Sequence, residues 1–382
     1  MSGKAPLDYQ LNTSFGNKRL TLSKVLIDPI LVFSVLTLLV FGLFVLFSAS
    51  GQLTSMVFKQ SIYIAIGLLL MFIISRLDQS VYKSFLMHFF WIGLILLIWV
   101  LLFPAEGYKT DRWINLGFIS FQPSEVLRLL LPLAAASYLT RNQRRPSVKD
   151  WCIVLSAILV SSFLIYKQPD LGTSLIVLAS GCIPVFLAGF PLLTLFILIA
   201  LILISSPFLW ANLTPYMQQR VITLFNPESD LLGAGWNISQ SKTAIGSGGF
   251  MGKGYLDGTQ SQLDFIPESH SDFIFSVIGE EFGFLGIILI FLVYGIILYR
   301  VFKIAFNSST EFSRLTISSI GFIFLIYILI NVSMTVGTLP VVGIPLPLIS
   351  QGGTSILIHL VAFGFVLSMK KRETWSCASN VS

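Results

Sequence analysis

Charged residues are scarce in this chain. Asp, Glu, Lys and Arg make up only 11% of its 382 residues, whereas 55% are hydrophobic. A typical soluble domain has about 25% charged residues, so the apolar surface of this chain cannot all be buried inside one water-soluble core. The composition excludes an ordinary soluble enzyme and predicts an integral membrane protein.

Cysteine and histidine are also rare, with 3 of each. Cys152 and Cys182 fall in or beside apolar segments and Cys377 lies near the C-terminus, so no pair predicts an extracellular disulfide framework. The histidines are scattered and have no neighbouring cysteine clusters, which disfavours a zinc site. There is also no basic patch interleaved with aromatic residues, so nucleic acid is not an expected partner.

Long apolar runs dominate what is present. Ten windows have the length of about 20 residues that a helix needs to cross about 30 Å of hydrocarbon, and they do not alternate as barrel strands would. The predicted fold class is therefore an all-α polytopic membrane protein with about ten transmembrane helices. The windows lie near residues 29–49, 57–75, 84–103, 122–140, 151–166, 171–188, 191–210, 273–299, 315–338 and 353–369.

Lysine and arginine are distributed unevenly between the loops. No cleavable signal peptide is visible, because a polar segment leads straight into the first full-length window. With the N-terminus inside, 16 basic residues lie on the inner side and 7 on the outer side. This bias predicts cytoplasmic N- and C-termini and one large outside loop, residues 211–272, between helices 7 and 8. The predicted organisation is a cytoplasmic segment 1–28, a transmembrane domain 29–370 and a cytoplasmic tail 371–382.

The fourth window contains two charges inside the membrane. Pro123 suits the first turn of a helix, and Glu125 and Arg128 follow at a spacing of three, which places both on one helix face. Each buried ion needs the other. Intramembrane charges mark functional sites, but a structural clamp between helices explains this pair equally well.

Two other outside segments have simpler predicted roles. Asp170, in the motif KQPDLGTS, is predicted to cap the sixth helix. Residues 337–353 read GTLPVVGIPLPLISQGG and have no charge. Irregular apolar backbone is tolerated between two spans where it re-enters the protein or lines a cavity, so this loop is predicted to pack near an outside cleft.

The glycine-rich segment GSGGFMGKG suggests a phosphate-binding loop. A Walker loop needs Gly where Ser247 stands, and Ser or Thr after Lys253, where Gly254 stands, so nucleotide binding is rejected. A weaker hypothesis remains, in which the backbone amides of this loop, with Arg220, Lys242 and Lys253, bind a diphosphate. The alternative is a flexible surface loop.

Acidic residues cluster where this polar loop meets the eighth apolar window. Asp272 sits at the border between water and membrane, which suits chemistry on a lipid-linked substrate. The alternative is that these carboxylates only cap and solvate a helix end. Glu280 lies eight residues further, about 12 Å deeper along a helix, and is predicted to be a buried structural group. The cluster consists of Asp264, Glu268, Asp272, Glu280 and Glu281.

These loops closely resemble those of the SEDS family, the shape, elongation, division and sporulation proteins. The matching stretches read RWINLGFISFQPSE, KQPDLGTS, NPESDLLGAGWNISQSKTAIGSGG, GKGYLDGTQSQLDFIPESHSDFIF and GTLPVVGIPLPLIS. They occur in the same order over nearly all of the ten windows.

The resemblance implies a bacterial inner-membrane peptidoglycan glycosyltransferase that polymerises lipid II during cell elongation and rod-shape maintenance. It implies a class B penicillin-binding protein and other elongation-complex membrane proteins as partners. No cofactor is certain from the sequence, and a divalent cation, Mg²⁺ or Mn²⁺, that would steady the diphosphate is left open.

The resemblance also assigns residues. Asp272 matches the essential Asp of the His-Thr/Ser-Asp-Phe motif and is the expected general base, while Glu125 and Arg128 match a salt bridge of the family. This chain has Gln351 where the family commonly has Tyr, so no role can rest on that hydroxyl. The expected substrate-binding residues are Arg112, Arg220, Lys242, Lys253, Asp264, Glu268 and His270.

One carboxylate is sufficient for the implied reaction. Forming a β-1,4 bond from an α-linked sugar diphosphate is an inversion, and the diphosphate leaves as an anion that needs positive charge rather than an acid. Two rival functions remain open at this point. A lipid-precursor flippase would use intramembrane charges along a path through the bundle, and a scaffold would only hold a penicillin-binding protein.

Overall fold

The computed structural model describes residues 28–103, 114–115, 120–142, 145–191, 234–263 and 265–370, together with scattered residues between 194 and 223. Within these residues the chain is almost entirely helical. The elements are α1 (Pro29–Ala49), α2 (Thr54–Arg76), α3 (Gln79–Leu102), β1 (Ile114–Asn115), β2 (Ser120–Phe121), α4 (Pro123–Leu139), α5 (Val148–Lys167), α6 (Leu171–Leu187), α7 (Ala234–Ser247), α8 (Thr259–Gln262), α9 (Ile274–Phe306), α10 (Glu311–Val336) and α11 (Gly353–Ser368).

The long helices follow the apolar windows. Six of the described helices, α1, α2, α3, α5, α9 and α10, are long and apolar enough to cross a membrane, and α6 and α11 are shorter apolar helices. The chain is therefore an all-α, multi-pass membrane protein. Nine of the ten predicted windows coincide with a described helix, and the seventh, residues 191–210, lies mostly outside the described residues.

Contacts between distant segments define the two ends of the bundle. At one end, Ser269 Oγ donates to the Ala49 carbonyl over 2.9 Å. At the other, Tyr82 and Ser368 share a hydrogen bond of 2.9 Å. We call the first the loop end; it comprises residues 49–54, 120–123, 167–171, 248–263, 265–273 and 337–353. We call the second the terminal end; it comprises residues 28, 76–79, 139–142, 145–148, 187–191, 306–311 and 368–370.

Helix α4 stands between two hydrophobic cores. One core contains residues of α1, α2, α9, α10 and α11, and the other contains residues of α3, α5 and α6. Leu133 of α4 belongs to the first core and Leu131 to the second, and both are buried. Pro123 occupies the first turn of this helix, where its missing N–H costs no hydrogen bond. Residues in the first turns of α4 are therefore held on a rigid support.

The segment before α9 folds against the membrane domain, as predicted, but it contains a helix that the glycine-rich sequence did not predict. Helix α7 packs on α9 and α10, and Ser241 Oγ donates to the Thr335 carbonyl over 2.8 Å. A short ribbon pairs Ile114 with Phe121 just before α4. These pieces cover the loop end of the bundle.

Helix α9 is interrupted at Gly283, which has φ 62° and ψ −161°. The glycine-rich loop supplies hydrogen bonds across this break. The amides of Lys253 and Gly254 donate to the carbonyls of Glu280 and Glu281 over 3.0 and 3.1 Å. The amide of Phe284 donates in turn to the Gly249 carbonyl over 3.0 Å. Backbone groups that would otherwise be unpaired in the membrane are thus satisfied by the loop.

An ionic cluster ties the terminal end together. Asp28 caps α1 through the Leu31 amide, at 3.1 Å, and accepts hydrogen bonds from Arg300 of α9. Lys370, just after α11, lies 3.3 Å from the same carboxylate. Burial would raise the pKa of the Asp28 carboxyl, but the hydrogen bonds from Arg300 and Leu31 and the charge of Lys370 hold that pKa below its usual value.

The predicted orientation can be tested at the tip of the glycine-rich loop. Met251 is 72% exposed at the loop end, so a Met251→Cys variant without the native cysteines should react with a membrane-impermeant maleimide in intact spheroplasts. Glu311→Cys, at the terminal end, should react only after permeabilisation. The reverse labelling pattern would overturn the orientation that the lysine and arginine bias predicts.

Candidate active site

A cleft opens at the loop end between α4, α6, α10 and the irregular loop that precedes α11. Its volume is about 290 Å³. Polar and apolar side chains both line its walls, which is typical of sites that orient a polar group of an otherwise apolar ligand. The lining residues are Gln122, Glu125, Arg128, Pro169, Asp170, Leu171, Gly172, Thr173, Leu175, Ile176, Met217, Tyr327, Pro340, Val341, Val342, Gly343, Ile344 and Pro345. We call this the loop-end cleft.

Arg128 is the cation of the cleft wall among the described residues. Its guanidinium donates to Tyr327 Oη over 2.5 Å and to Ser355 Oγ over 3.2 Å. It also lies over the Tyr327 ring, with Cζ 4.5 Å from the ring centroid. Arg128 is only 4% exposed, and both of its hydrogen-bond partners are neutral hydroxyls. Its charge therefore remains available to an anion in the cleft.

The ion pair expected between Glu125 and Arg128 is not formed. Their side chains both line the cleft, but no N–O separation of 4.0 Å or less joins them. Glu125 Oε2 is buried and has no hydrogen-bond partner among the described residues. Neutral groups on α10 and α11 contact Arg128 instead, which i,i+3 spacing on α4 alone does not reveal. The roles of Glu125 and Arg128 stay predictions.

Asp170 caps α6, as the sequence predicted. Its carboxylate accepts hydrogen bonds from the Thr173 amide at 3.1 Å and the Thr173 hydroxyl at 2.9 Å. Gln122, at the start of α4, adds a third hydrogen bond of 3.3 Å. Asp170 also lines the cleft, so the cap fixes the cleft wall where α4 and α6 begin.

Asp272 lies against the opposite wall. The Asp272 carboxylate lies close to Gly343, since a Cβ atom placed on that glycine would be 3.4 Å from Asp272 Oδ2. Gly343 lines the cleft and has φ 78°. Helix α9 begins at Ile274 with Phe273 as its N-cap residue, so Asp272 precedes the cap position. The half-buried carboxylate thus lies against the wall formed by residues 340–345.

Hydrogen bonds hold the backbone around Asp272 to the loop before α11. Ser350 Oγ donates to the Ser271 carbonyl over 2.6 Å, and the Gln351 amide donates to the His270 carbonyl over 3.0 Å. Gln351 therefore contributes its main chain here. Since residues 340–345 belong to the same loop, these bonds fix Asp272 relative to the cleft.

Glu268 and His270 lie beside Asp272 in sequence but outside the cleft wall. Glu268, with a 62% exposed side chain, accepts a hydrogen bond of 2.8 Å from Ser271 Oγ and lies 3.8 Å from His270 Nε2. The side chains of Glu268 and His270 therefore interact at the surface. Their predicted role in substrate binding stays a prediction.

Lys253, predicted to bind substrate, has a different partner in the structure. Its ammonium lies 2.7 Å from Glu280 Oε1, and Glu280 is fully buried, as predicted. The same carboxylate accepts hydrogen bonds from the amides of Gln260 and Ser261, at 2.8 and 3.0 Å. The pair stabilises the glycine-rich loop, so the charge of Lys253 is largely compensated.

The remaining predicted binding residues are only partly described. Lys242 is exposed, and its side chain lies beside Gly337: a Cβ atom placed on that glycine would be 2.8 Å from Lys242 Nζ. Arg112, Arg220 and Asp264 lie outside the described residues. Their predicted roles stay predictions.

A divalent cation finds no protein cage in the described part of the chain. There, no three His, Cys, Asp or Glu side chains form a group that could hold a metal ion. The cleft lining offers the carboxylates of Glu125 and Asp170, the cation of Arg128 and the amide of Gln122, and the carboxylate of Asp272 lies against Gly343 of its wall. These are groups for removing a proton and holding an anion.

Sequence reasoning missed two residues of this site. Tyr327 and Asn331 lie four apart on α10 and are both buried, with exposures of 1% and 0%. Polar side chains inside an apolar span are rare and mark functional sites, so their spacing was an available signal. The site residues predicted from the sequence were almost all charged, so these two were not among them.

The FtsW/RodA/SpoVE cell cycle protein family matches residues 29–374 of the chain. The chain belongs to this family. Peptidoglycan glycosyltransferase MrdB of Escherichia coli strain K12 is 41% identical over 354 residues, which cover 92% of this chain and 96% of that protein. Peptidoglycan glycosyltransferase RodA of Treponema pallidum is 29% identical over 423 residues, which cover 91% and 98% of the two chains.

Solved structures show that this family member shares the fold of its relatives. A chain of a peptidoglycan synthase complex, in which polymerisation and crosslinking are structurally coordinated, superposes with a TM-score of 0.78 at 32% identity, covering 88% of this chain and 96% of that one. The rod shape determining protein RodA of Thermus thermophilus superposes with a TM-score of 0.66 at 29% identity, covering 88% and 94%.

Proposed function

We propose that this chain polymerises lipid II into glycan strands, with Asp272 as the general base. The chain is a peptidoglycan glycosyltransferase, since its family and the relatives named for that activity cover nearly its whole length. The observation that supports the assignment of the base is the position of the Asp272 carboxylate against Gly343, in the wall of the cleft that also holds Arg128.

The chemistry needs one proton acceptor. Asp272 takes the proton of the acceptor sugar's 4-hydroxyl while that oxygen attacks the anomeric carbon of the donor. The bond from this carbon to the diphosphate breaks, and the electron pair leaves with the diphosphate. A single in-line displacement converts the α-linkage into a β-1,4 linkage, and no second carboxyl is needed to protonate such a leaving group.

Arg128 suits the developing charge on the diphosphate. Its guanidinium is oriented by Tyr327 and Ser355 before any substrate arrives, so little reorganisation is needed during the reaction. Both of its hydrogen-bond partners among the described residues are neutral hydroxyls, so no direct ion pair there competes with a bound anion. Lys242 and the undescribed Arg112 and Arg220 are the further cations that we propose to contact the substrate.

The relatives support a proposal for the partner and the location. The likeness to a chain of a peptidoglycan synthase complex supports association with a class B penicillin-binding protein and other membrane proteins of the elongation complex. The likeness to MrdB and RodA supports a role in elongation and rod-shape maintenance in the bacterial inner membrane. The proposed reaction places the loop end outside the cytoplasm.

The flippase alternative has weaker support. A transporter would expose intramembrane charges along a path, whereas Glu280 is fully buried and accepts hydrogen bonds from Lys253, Gln260 and Ser261. The cleft that contains Glu125 and Arg128 lies at the loop end, beside the first turns of α4.

Purified protein in proteoliposomes with labelled lipid II separates the three functions. We expect glycan chains, and a higher rate when a class B penicillin-binding protein is added, while a parallel reaction with a chelator tests whether a divalent cation is needed. Movement of lipid II between leaflets without glycan synthesis would favour the flippase. If neither glycan chains nor movement of lipid II appeared, even with the partner present, only the scaffold function would remain.

A further inference from the structure

One fully buried amide joins the two backbone segments that carry the candidate site. Asn331 lies within α10 and is 0% exposed. Its Nδ2 donates to the Asp272 carbonyl over 2.9 Å and to the Ile344 carbonyl over 2.7 Å. Both hydrogens of the side-chain amide are therefore used, and they bind two segments that are more than 70 positions apart.

The two carbonyls belong to facing parts of the site. Ile344 lines the loop-end cleft, and the neighbouring Gly343 is the residue against which the Asp272 carboxylate lies. Asn331 is thus attached to the main chain of the proposed base and to the main chain of the wall beside it. A change in either bond would alter the separation between the carboxylate and the cleft.

The geometry points to Asn331 as a positioning residue for the glycosyl transfer. This inference rests on the proposed function, because it assigns to Asn331 the placement of the Asp272 carboxylate. The amide is suited to this role because both acceptors are carbonyls and only an NH₂ group on so short a side chain donates to two of them at once.

The unpartnered atom of the same side chain supports a functional role. Asn331 Oδ1 is buried and has no hydrogen-bond partner among the described residues. A buried acceptor without a partner destabilises the fold, so selection for stability alone would not favour an amide side chain at position 331. Placement of the base explains why the amide is tolerated.

The segments would remain joined without Asn331. Ser350 Oγ donates to the Ser271 carbonyl and accepts a hydrogen bond of 2.7 Å from the Leu346 amide. The Gln351 amide also donates to the His270 carbonyl. Loss of Asn331 should therefore displace Asp272 without unfolding the loop end.

Two substitutions of Asn331 test the inference. Asn331→Leu removes both donors in a side chain of similar size, and Asn331→Asp keeps the shape but donates at most one hydrogen bond. We expect kcat for lipid II polymerisation to fall by about 10- to 100-fold in Asn331→Leu, because small displacements of a catalytic group have effects of this size. Asn331→Asp should be intermediate, and KM should stay within about twofold in both variants.

Thr335→Val is the matched control. Thr335 is fully buried one turn further on α10, and its hydroxyl donates only to the Val332 carbonyl of the same helix, at 2.8 Å. This variant loses a buried polar group without touching either segment of the site. We expect wild-type kcat and KM for Thr335→Val. Rates of all three variants are compared per amount of folded protein, because the carbonyls that lose their donor in the Asn331 variants also lower the unfolding temperature.

Different failures have different meanings. Asn331 variants with wild-type kcat would overturn the positioning role, while an inactive Asp272→Asn variant in the same experiment would leave the proposed function standing. An active Asp272→Asn variant would remove Asp272 as the base, and the positioning role of Asn331 with it, while polymerisation by this chain would stand. If both Asn331 variants lost activity only in proportion to lost folded protein, Asn331 would be structural and the inference would be wrong.

Discussion

Asp272→Asn should lower glycan synthesis by about 100-fold or more, the usual range for loss of a positioned base. The substitution keeps the side-chain shape and removes the proton acceptor. Expression, thermal stability and partner binding should stay near wild type, because the main-chain bonds of this segment to Asn331, Ser350 and Gln351 are unaffected. The measurement is the initial rate with purified protein and labelled lipid II.

Glu268→Gln is the matched control for this variant. Glu268 is acidic and close in sequence, but it is largely exposed and contacts Ser271 and His270 rather than the cleft. Its effect should be mild, and Asp264→Asn should also be mild. An Asp272→Asn enzyme that retained half of its rate would remove Asp272 as the base and return Glu268 and Asp264 to consideration.

Arg128→Met should lower polymerisation by about 100-fold, comparable to losing one group that stabilises charge in a transition state. The cause is loss of the cation that faces the cleft, since methionine fills similar space in the membrane. Arg128→Lys keeps the charge but cannot reproduce the two-donor contact with Tyr327 and Ser355, so we expect an intermediate rate. Rates and thermal unfolding of the purified variants are the measurements.

Exchanging the two charges of α4 tests the same conclusion from another side. The double variant Glu125→Arg with Arg128→Glu should be no more active than Arg128→Met. Glutamate at position 128 would meet Tyr327 and Ser355 without supplying a cation, and no N–O contact of 4.0 Å or less joins the native pair. If the exchange restored activity above that of either single variant, a mutual clamp would be the better explanation.

Much of the fold could be predicted because a membrane imposes simple rules. Helix length and apolar composition located the spans, and Pro123 and Asp170 marked two helix starts that the structure confirms. Helix α7 was missed because its glycine and serine residues weaken the local helical signal, and packing on α9 and α10 decides its conformation.

The site was predictable only in part, because its geometry depends on contacts between distant segments. Asp272 was found from its position at the border of polar and apolar sequence and from the family motif. The partners of Arg128 are 199 and 227 positions away, and nothing local to α4 indicates them. Lys253 likewise looked like a free cation until the fold brought Glu280 to it.

The ionic cluster at the terminal end has a consequence for how the protein is made. Asp28 starts the first helix, but its partners Arg300 and Lys370 follow 272 and 342 positions later. At ~5–20 residues per second, Lys370 is synthesised about 20–70 s after Asp28. Until Arg300 has been made, the carboxylate must stay hydrated at the membrane surface, because burying it unpaired is costly. The first helix is therefore fully tied to the bundle only after Arg300 and Lys370 have been added to the chain.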